Sequence, residues 1–378
     1  MPDVLANQVK EDMAGSLAQL VTEAKIHSLS LIGLSKNVGK TTTTNHLLET
    51  LVGEKYYHSD ELALTSLGLD GETVDALTGL PKPRYVPQAG LLVATTAELL
   101  LQAESDGARF ERLLQLAGRT SLGPVIVARI LHPGRVIIAG PTLLHDLRIA
   151  INQLEKLGAR LSIVDGAIDR LGAAAPAITN ACIVCTGTSA AATPEHVARR
   201  TADVLRRLST QQTQFMDAYR KHTSKSRLFM FTDKSDDNTI TYYDGDIEPL
   251  HKAVWIAKQI QISHRPIFIL HGALTEELSR ALLAELPKKF SPDYRGELIV
   301  EDATRIFCHS VVLQRLSERG LDIRVTNPLR ILALTANPYT PEYPCSSQHL
   351  LDVLVKELSS SCPPIIDIMT GYSYGVTQ

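Results

Sequence analysis

Residues 28–44, Ser-Leu-Ser-Leu-Ile-Gly-Leu-Ser-Lys-Asn-Val-Gly-Lys-Thr-Thr-Thr-Thr, constrain this chain more than any other stretch. The apolar run at 29–32 predicts a buried strand, which Gly33 breaks. A loop over 34–38 leads into Gly39-Lys40-Thr41, and Leu47, Leu48 and Leu51 then share one side of an expected helix that stops near Gly53. Strand, glycine loop, Gly-Lys-Thr and helix, in that order, form the context in which a backbone cradles phosphate.

Each residue type has a chemical reason to be there. Gly39 lets the backbone approach phosphate oxygens with no Cβ in the way. The amides of Ser35, Lys36, Asn37, Val38 and the first helical turn, Thr42 included, present N–H groups and partial positive charge to an anion. Lys40 adds a full charge that reaches the terminal phosphates, and Thr41 offers a hydroxyl to the accompanying Mg²⁺. The expected ligands are therefore Mg²⁺ and a nucleoside triphosphate.

The spacing departs from the common loop of this kind, because Gly33 and Gly39 enclose five residues rather than four. The phrase Gly33-Leu34-Ser35-Lys36-Asn37-Val38-Gly39-Lys40-Thr41 resembles the Gly-x5-Gly-Lys-Thr loop of dethiobiotin synthetase and of the cobyrinic acid amide synthases, members of the SIMIBI class of P-loop proteins. Lys36 is similar to the extra loop lysine of that class's partition-type ATPases, displaced by one position. With Ile32 included, the phrase also looks like that of reactivating factors for cobalamin-dependent lysine aminomutases. The resemblance implies a P-loop NTPase fold, ATP with Mg²⁺, and a homodimer, since proteins of the class pair across the nucleotide.

Composition closes off other classes. The chain has 378 residues, 44% of them hydrophobic and 21% charged, which fits a soluble globular protein of two domains or one large one. A net charge of −3 makes no electrostatic case for nucleic acid or a membrane surface. The five cysteines are scattered, which fits a reducing cytoplasm rather than a disulfide framework. Cys182 and Cys185 lie in an apolar run, where residues three apart on a strand face opposite ways, so a metal or redox pair is not expected. Residues 1–20 carry Asp3, Glu11 and Asp12 and hold neither a secretory signal nor a membrane span.

Along the chain, residues 4–25 have helical apolar spacing and predict an N-terminal amphipathic helix, 1–26. A second strand is expected within 55–66, a helix at 110–116, strands at 125–131 and 135–140, a helix at 143–157, and strands at 160–167 and 181–185. A helix opening at Thr193-Pro194-Glu195 follows, with Thr193 as its cap. Strands alternating with helices imply an α/β fold with a doubly wound, mainly parallel sheet over 27–208. The polar stretch 209–226 is expected to be a linker, and 227–378 a second α/β domain. In such sheets ligands bind beyond the C-terminal strand ends, which brings the loop after Ile32 and the loop after Val164 to one edge.

Asp165 ends the strand at 160–167 and is the expected second carrier of chemistry, a carboxylate for Mg²⁺ held directly or through water. Val164-Asp165-Gly166-Ala167 resembles the Val-Glu-Gly-Ala phrase of dethiobiotin synthetase, whose acid is a magnesium ligand. Aspartate reaches about one methylene less far, which favours a bridging water. Asp60 and Asp70 are further candidates, for water positioning and for metal, on the expectation that both follow the second strand. Asp70-Gly71 is equally a turn signal. Glu72, Lys82 and Arg84 are weaker candidates. Asp233-Lys234-Ser235-Asp236 is similar to the guanine-reading phrase of GTPases but begins with aspartate, so ATP is expected rather than GTP.

Three uses of the nucleotide follow. One is an ATPase whose hydrolysis, with Lys40, Asp165 and Asp60 acting on phosphate and water, changes the conformation of a partner protein. The second is an enzyme similar to dethiobiotin synthetase that phosphorylates a small carboxylate or carbamate. The third is a nucleotide-binding module without turnover.

Overall fold

The computed structural model describes residues 14–68, 85–221, 228–232, 240–245, 248–288, 295–339, 345–358 and 362–375. In chain order its elements are α1 (Ala14–Glu23), β1 (Ser28–Gly33), α2 (Lys40–Gly53), β2 (Leu62–Ser66), β3 (Leu92–Thr96), α3 (Ala97–Ser105), β4 (Arg109–Thr120), β5 (Gly123–His132), α4 (Leu144–Lys156), β6 (Leu161–Ala167), β7 (Ala181–Gly187) and α5 (Pro194–Leu208). They continue with α6 (Met216–Lys221), β8 (Leu228–Thr232), β9 (Thr241–Tyr242), α7 (Pro249–Ile262), β10 (Pro266–Leu270), α8 (Glu276–Glu285), β11 (Gly296–Val300), α9 (Ser310–Glu318) and β12 (Leu321–Val325). The last are β13 (Ile331–Asn337), α10 (Ser347–Leu358), β14 (Ile365–Asp367) and β15 (Ser373–Tyr374).

Two compact units result, one made of Met1–Thr201 and Arg330–Gln378, the other of Ala202–Leu329. The first holds a 10-stranded sheet in the order β15-β14-β13-β7-β1-β6-β2-β3-β5-β4. The strands from β14 to β3 in that order run parallel, and β15, β5 and β4 add antiparallel edges. Central parallel strands are covered on both faces, so they read as unbroken apolar runs. Accordingly β1 and β7 are buried at every residue. The second unit holds a 5-stranded sheet, β12-β11-β10-β8-β9, with β10, β11 and β12 parallel. In it the His271 ring meets Tyr219 edge-on and Phe229 at a tilt.

The expected α/β class and mainly parallel sheet are present, but the domain boundary differs. Residues 330–378 do not belong to a second domain, because β13 pairs with β7 and β14 with β13 in the first sheet. Nor is 209–226 a linker throughout. Thr213 donates its N–H to the Val325 carbonyl at 2.9 Å, Val325 returns one to the Gln211 carbonyl at 3.0 Å, and α6 follows.

Two local expectations also fail for physical reasons. Residues 110–116 are strand, not helix. β4 shifts register against β5 at three places, and these irregularities break the two-residue alternation that would have marked it as a strand. Residues 135–140 are not a strand. Val136 makes only an isolated bridge with Tyr85, and beyond it the Ala139 N–H bonds to the Thr95 hydroxyl at 2.9 Å and the Gly140 N–H to the Ser66 hydroxyl at 2.9 Å. Gly140 must be glycine, since a Cβ there would sit 2.0 Å from the Ser66 carbonyl oxygen.

Candidate functional site

The loop after β1 leaves from the middle of the sheet. Leu34 continues the pairing with β7 by donating to the Cys185 carbonyl at 2.9 Å. Arg200 donates to the Leu34 carbonyl at 2.9 Å, and the Ser189 hydroxyl to that of Lys36 at 3.0 Å. The Asn337 amide, at the end of β13, donates to the Asn37 carbonyl at 3.4 Å. These donors occupy loop carbonyls that would otherwise repel an anion.

Asn37 and Gly39 take positive φ, 61° and 88°, and α2 begins at Lys40. No side chain caps the helix, and its first turn carries no acid. Its leading N–H groups and the positive end of its dipole are thus left for something else. The threonine-rich start suits a helix poorly by propensity. It is held by tertiary bonds: Thr43 and Thr335 share a hydrogen bond at 3.2 Å, linking α2 to β13.

β6 lies beside β1 with Asp165 level with Leu31, and beside β2 with Asp165 level with Ser66. This parallel pairing delivers the carboxylate to the edge from which the loop leaves. The Lys40 stem lies against Gly33, where a Cβ would come within 2.8 Å of Lys40 Cδ. The Lys40 ammonium ends 3.4 Å from Asp165 Oδ1, and both side chains are only 13% exposed. That is long for a charge-assisted hydrogen bond. Oδ1 is buried and has no hydrogen-bond donor among the described residues. Oδ2 accepts a hydrogen bond from the Tyr85 hydroxyl.

Of the expected residues, the structure brings Lys40 to Asp165 with Gly33 against the lysine stem, while Ser35, Lys36, Asn37, Val38 and Gly39 form the loop between and Thr41 and Thr42 the first turn of α2. It does not bring Asp60 to them. Asp60 lies in the 3-10 turn Ser59–Glu61, before β2 rather than after it, and so at the opposite edge of the parallel strands. The polar run 55–61 was expected to start the strand, but only 62–66 are apolar enough to be buried in the sheet. Asp70, Glu72, Lys82, Arg84 and Asp233-Lys234-Ser235-Asp236 lie outside the described residues.

Tyr85, Asn337 and Ile368 were not anticipated at the site. Ile368 approaches Gly39, where a Cβ would meet its Cδ1 at 3.3 Å and Asn337 Cβ at 3.1 Å. Asn337-Pro338 after a strand is a turn signal that could have drawn notice. Tyr85, next to a proline-rich run, carries no periodic signal. Burial pushes the Cys182 thiol up to about 12 and the Cys185 thiol up to about 11, which disfavours the thiolate form of both cysteines of β7. Among the described residues, no three His, Cys, Asp or Glu side chains converge as a metal site, and no helix is long and apolar enough to cross a membrane.

Fold and site together define an α/β protein in which a glycine loop opens a helix and a neighbouring strand sets one acid against the loop's lysine. Comparisons with protein-family models, curated proteins and solved structures each returned no match.

Proposed function

We propose that this chain is a Mg²⁺-dependent ATP-binding protein of the SIMIBI class of P-loop NTPases, working in the cytoplasm as an ATPase that drives a conformational change in a partner protein. The observation that carries the reading is the Lys40–Asp165 pair at the uncapped start of α2. A buried carboxylate oxygen without a donor among the described residues is costly, and so is a largely buried ammonium held at a long contact. Adding a polyanion and a divalent cation relieves both at once.

The residues fit that pair of ligands. Mg²⁺ is commonly held by one or two carboxylates, a hydroxyl and substrate phosphates rather than by an all-protein cage. Asp165 and Thr41 supply the first two, so three converging acids are not needed. Mg²⁺, when bound, neutralises charge that develops on the phosphates. Lys40 offers a positive charge to the terminal phosphates, and the α2 amides and the loop around Asn37 and Gly39 hold the phosphate chain in place. All five cysteines are free, in keeping with a reducing compartment.

The test is calorimetric titration with ATP, with and without Mg²⁺, followed by phosphate release alone and with cell extract separated into proteins and metabolites. ATP binding with release stimulated by a protein fraction is expected. Stimulation by metabolites alone would point to a small-molecule kinase, and binding without release to a sensing module. Absence of ATP binding at millimolar concentration would overturn the proposal.

A further inference from the structure

Tyr85 is 6% exposed, so its hydroxyl must find a partner inside the protein. It finds Asp165 Oδ2. Contacts independent of Asp165 fix where the ring stands. Tyr85 exchanges both backbone hydrogen bonds with Val136, at 3.2 and 3.0 Å. The next residue, Val86, donates to Asn45 Oδ1 on α2 at 3.1 Å. The segment that carries Val136 is stitched in turn to Ser66 and Thr95 at the ends of β2 and β3. The phenol is thus set in place by α2 and by the strand ends around the acid. Phenylalanine would fill the same volume without the hydroxyl's donor on one of the two carboxylate oxygens.

We propose that Tyr85 is a positioning residue, holding the Asp165 carboxylate so that Oδ1, the oxygen facing Lys40, is the one offered to the divalent cation. This rests on the nucleotide-binding reading above. With Oδ2 held by the phenol, the plane of the carboxylate is restrained and its other oxygen is turned toward Lys40. Without the phenol the carboxylate plane turns more freely, and part of the cation's binding free energy is spent on fixing it.

The experiment is a double-mutant cycle of Tyr85→Phe and Asp165→Asn, read by fluorescence titration of an ATP analogue across a range of Mg²⁺ concentrations. In Tyr85→Phe, metal-free nucleotide affinity stays within about twofold of wild type, while the Mg²⁺ needed for half-maximal effect rises about tenfold. In the Asp165→Asn background, Tyr85→Phe adds nothing further, because the residue acts through that carboxylate. A thermal melt controls for folding. Should Tyr85→Phe lose its cooperative transition, Asn45→Ala, which loosens the backbone beside Tyr85, replaces it, with a smaller shift in the same direction expected. An unchanged Mg²⁺ requirement, or the same shift in both backgrounds, overturns the role of Tyr85 while leaving nucleotide binding intact. A wild-type protein that binds no nucleotide overturns both.

Discussion

Gly39 holds φ at 88°, and a Cβ there would come within 3.1 Å of Asn337. Gly39→Ala is expected to destabilise the first unit by about 1–2 kcal/mol from the left-handed backbone alone, read as a lower urea midpoint. Lys40→Ala removes a charge-assisted contact worth roughly 1.5–3 kcal/mol, so ATP affinity is expected to fall about ten- to hundredfold by calorimetry. Asp165→Asn keeps the shape of the acid and loses its charge. Phosphate release is expected to collapse while metal-free nucleotide binding changes little, and equal loss of both would mark the acid as structural. These residues were legible because their chemistry is local: a glycine before Lys-Thr, and an acid ending an apolar run. Tyr85 was not, since what matters about it is a hydrogen bond 80 positions along the chain. Asp60 was misjudged because its role turned on a strand start a few residues away.

At the level of elements, β12 and α9 are joined by a polar cluster in the second unit. Arg295 takes both oxygens of Asp322, at 2.5 and 2.6 Å, and the Ser317 hydroxyl donates to one of them at 2.6 Å. Burial pulls the Asp322 carboxyl upward, but the bonds from Arg295 and Ser317 and the charges of Arg295 and Arg324 outweigh it and hold it below the ordinary range. A carboxyl depressed in the folded state stabilises above its unfolded pKa, about 4. That contribution is lost as pH falls below this value toward the folded one. Asp322→Asn should therefore flatten the acid limb of a stability-against-pH curve and lower stability at neutral pH. Unbroken strands such as β1 and β7 were legible from their apolar runs. β4 and the 135–141 segment were not, because register shifts and side-chain hydroxyls stand where regular pairing would leave a pattern.

For the whole molecule, the first unit is discontinuous. Ala202–Leu329 forms a body of its own, after which β13 and β14 complete a sheet whose previous strand, β7, ended roughly 140 residues earlier. Ending the chain at Leu329 would strip β7 of one neighbour and Thr43 of Thr335. The truncated chain is expected to lose the cooperative melt of the first unit and with it ATP binding. Wild-type melting after truncation would show that β13 and β14 are dispensable. Outside 110–116 and 135–140, the alternating rhythm of strands and helices was largely readable, but the sheet each strand joins was not. Pairing across such a distance leaves no trace in local periodicity, and a polar run at 209–226 looks the same whether it links two domains or edges a strand.

The interrupted sheet has a consequence for synthesis. β7 emerges from the ribosome roughly 140 residues before β13, and at about 5–20 residues per second that is an interval of about 7–28 seconds. Throughout it an apolar strand in the middle of the future sheet stands with one backbone edge bare. Slowing translation across 202–329 with rare codons is therefore expected to lower soluble yield without altering a single amino acid, read by comparing soluble fractions of the two coding sequences.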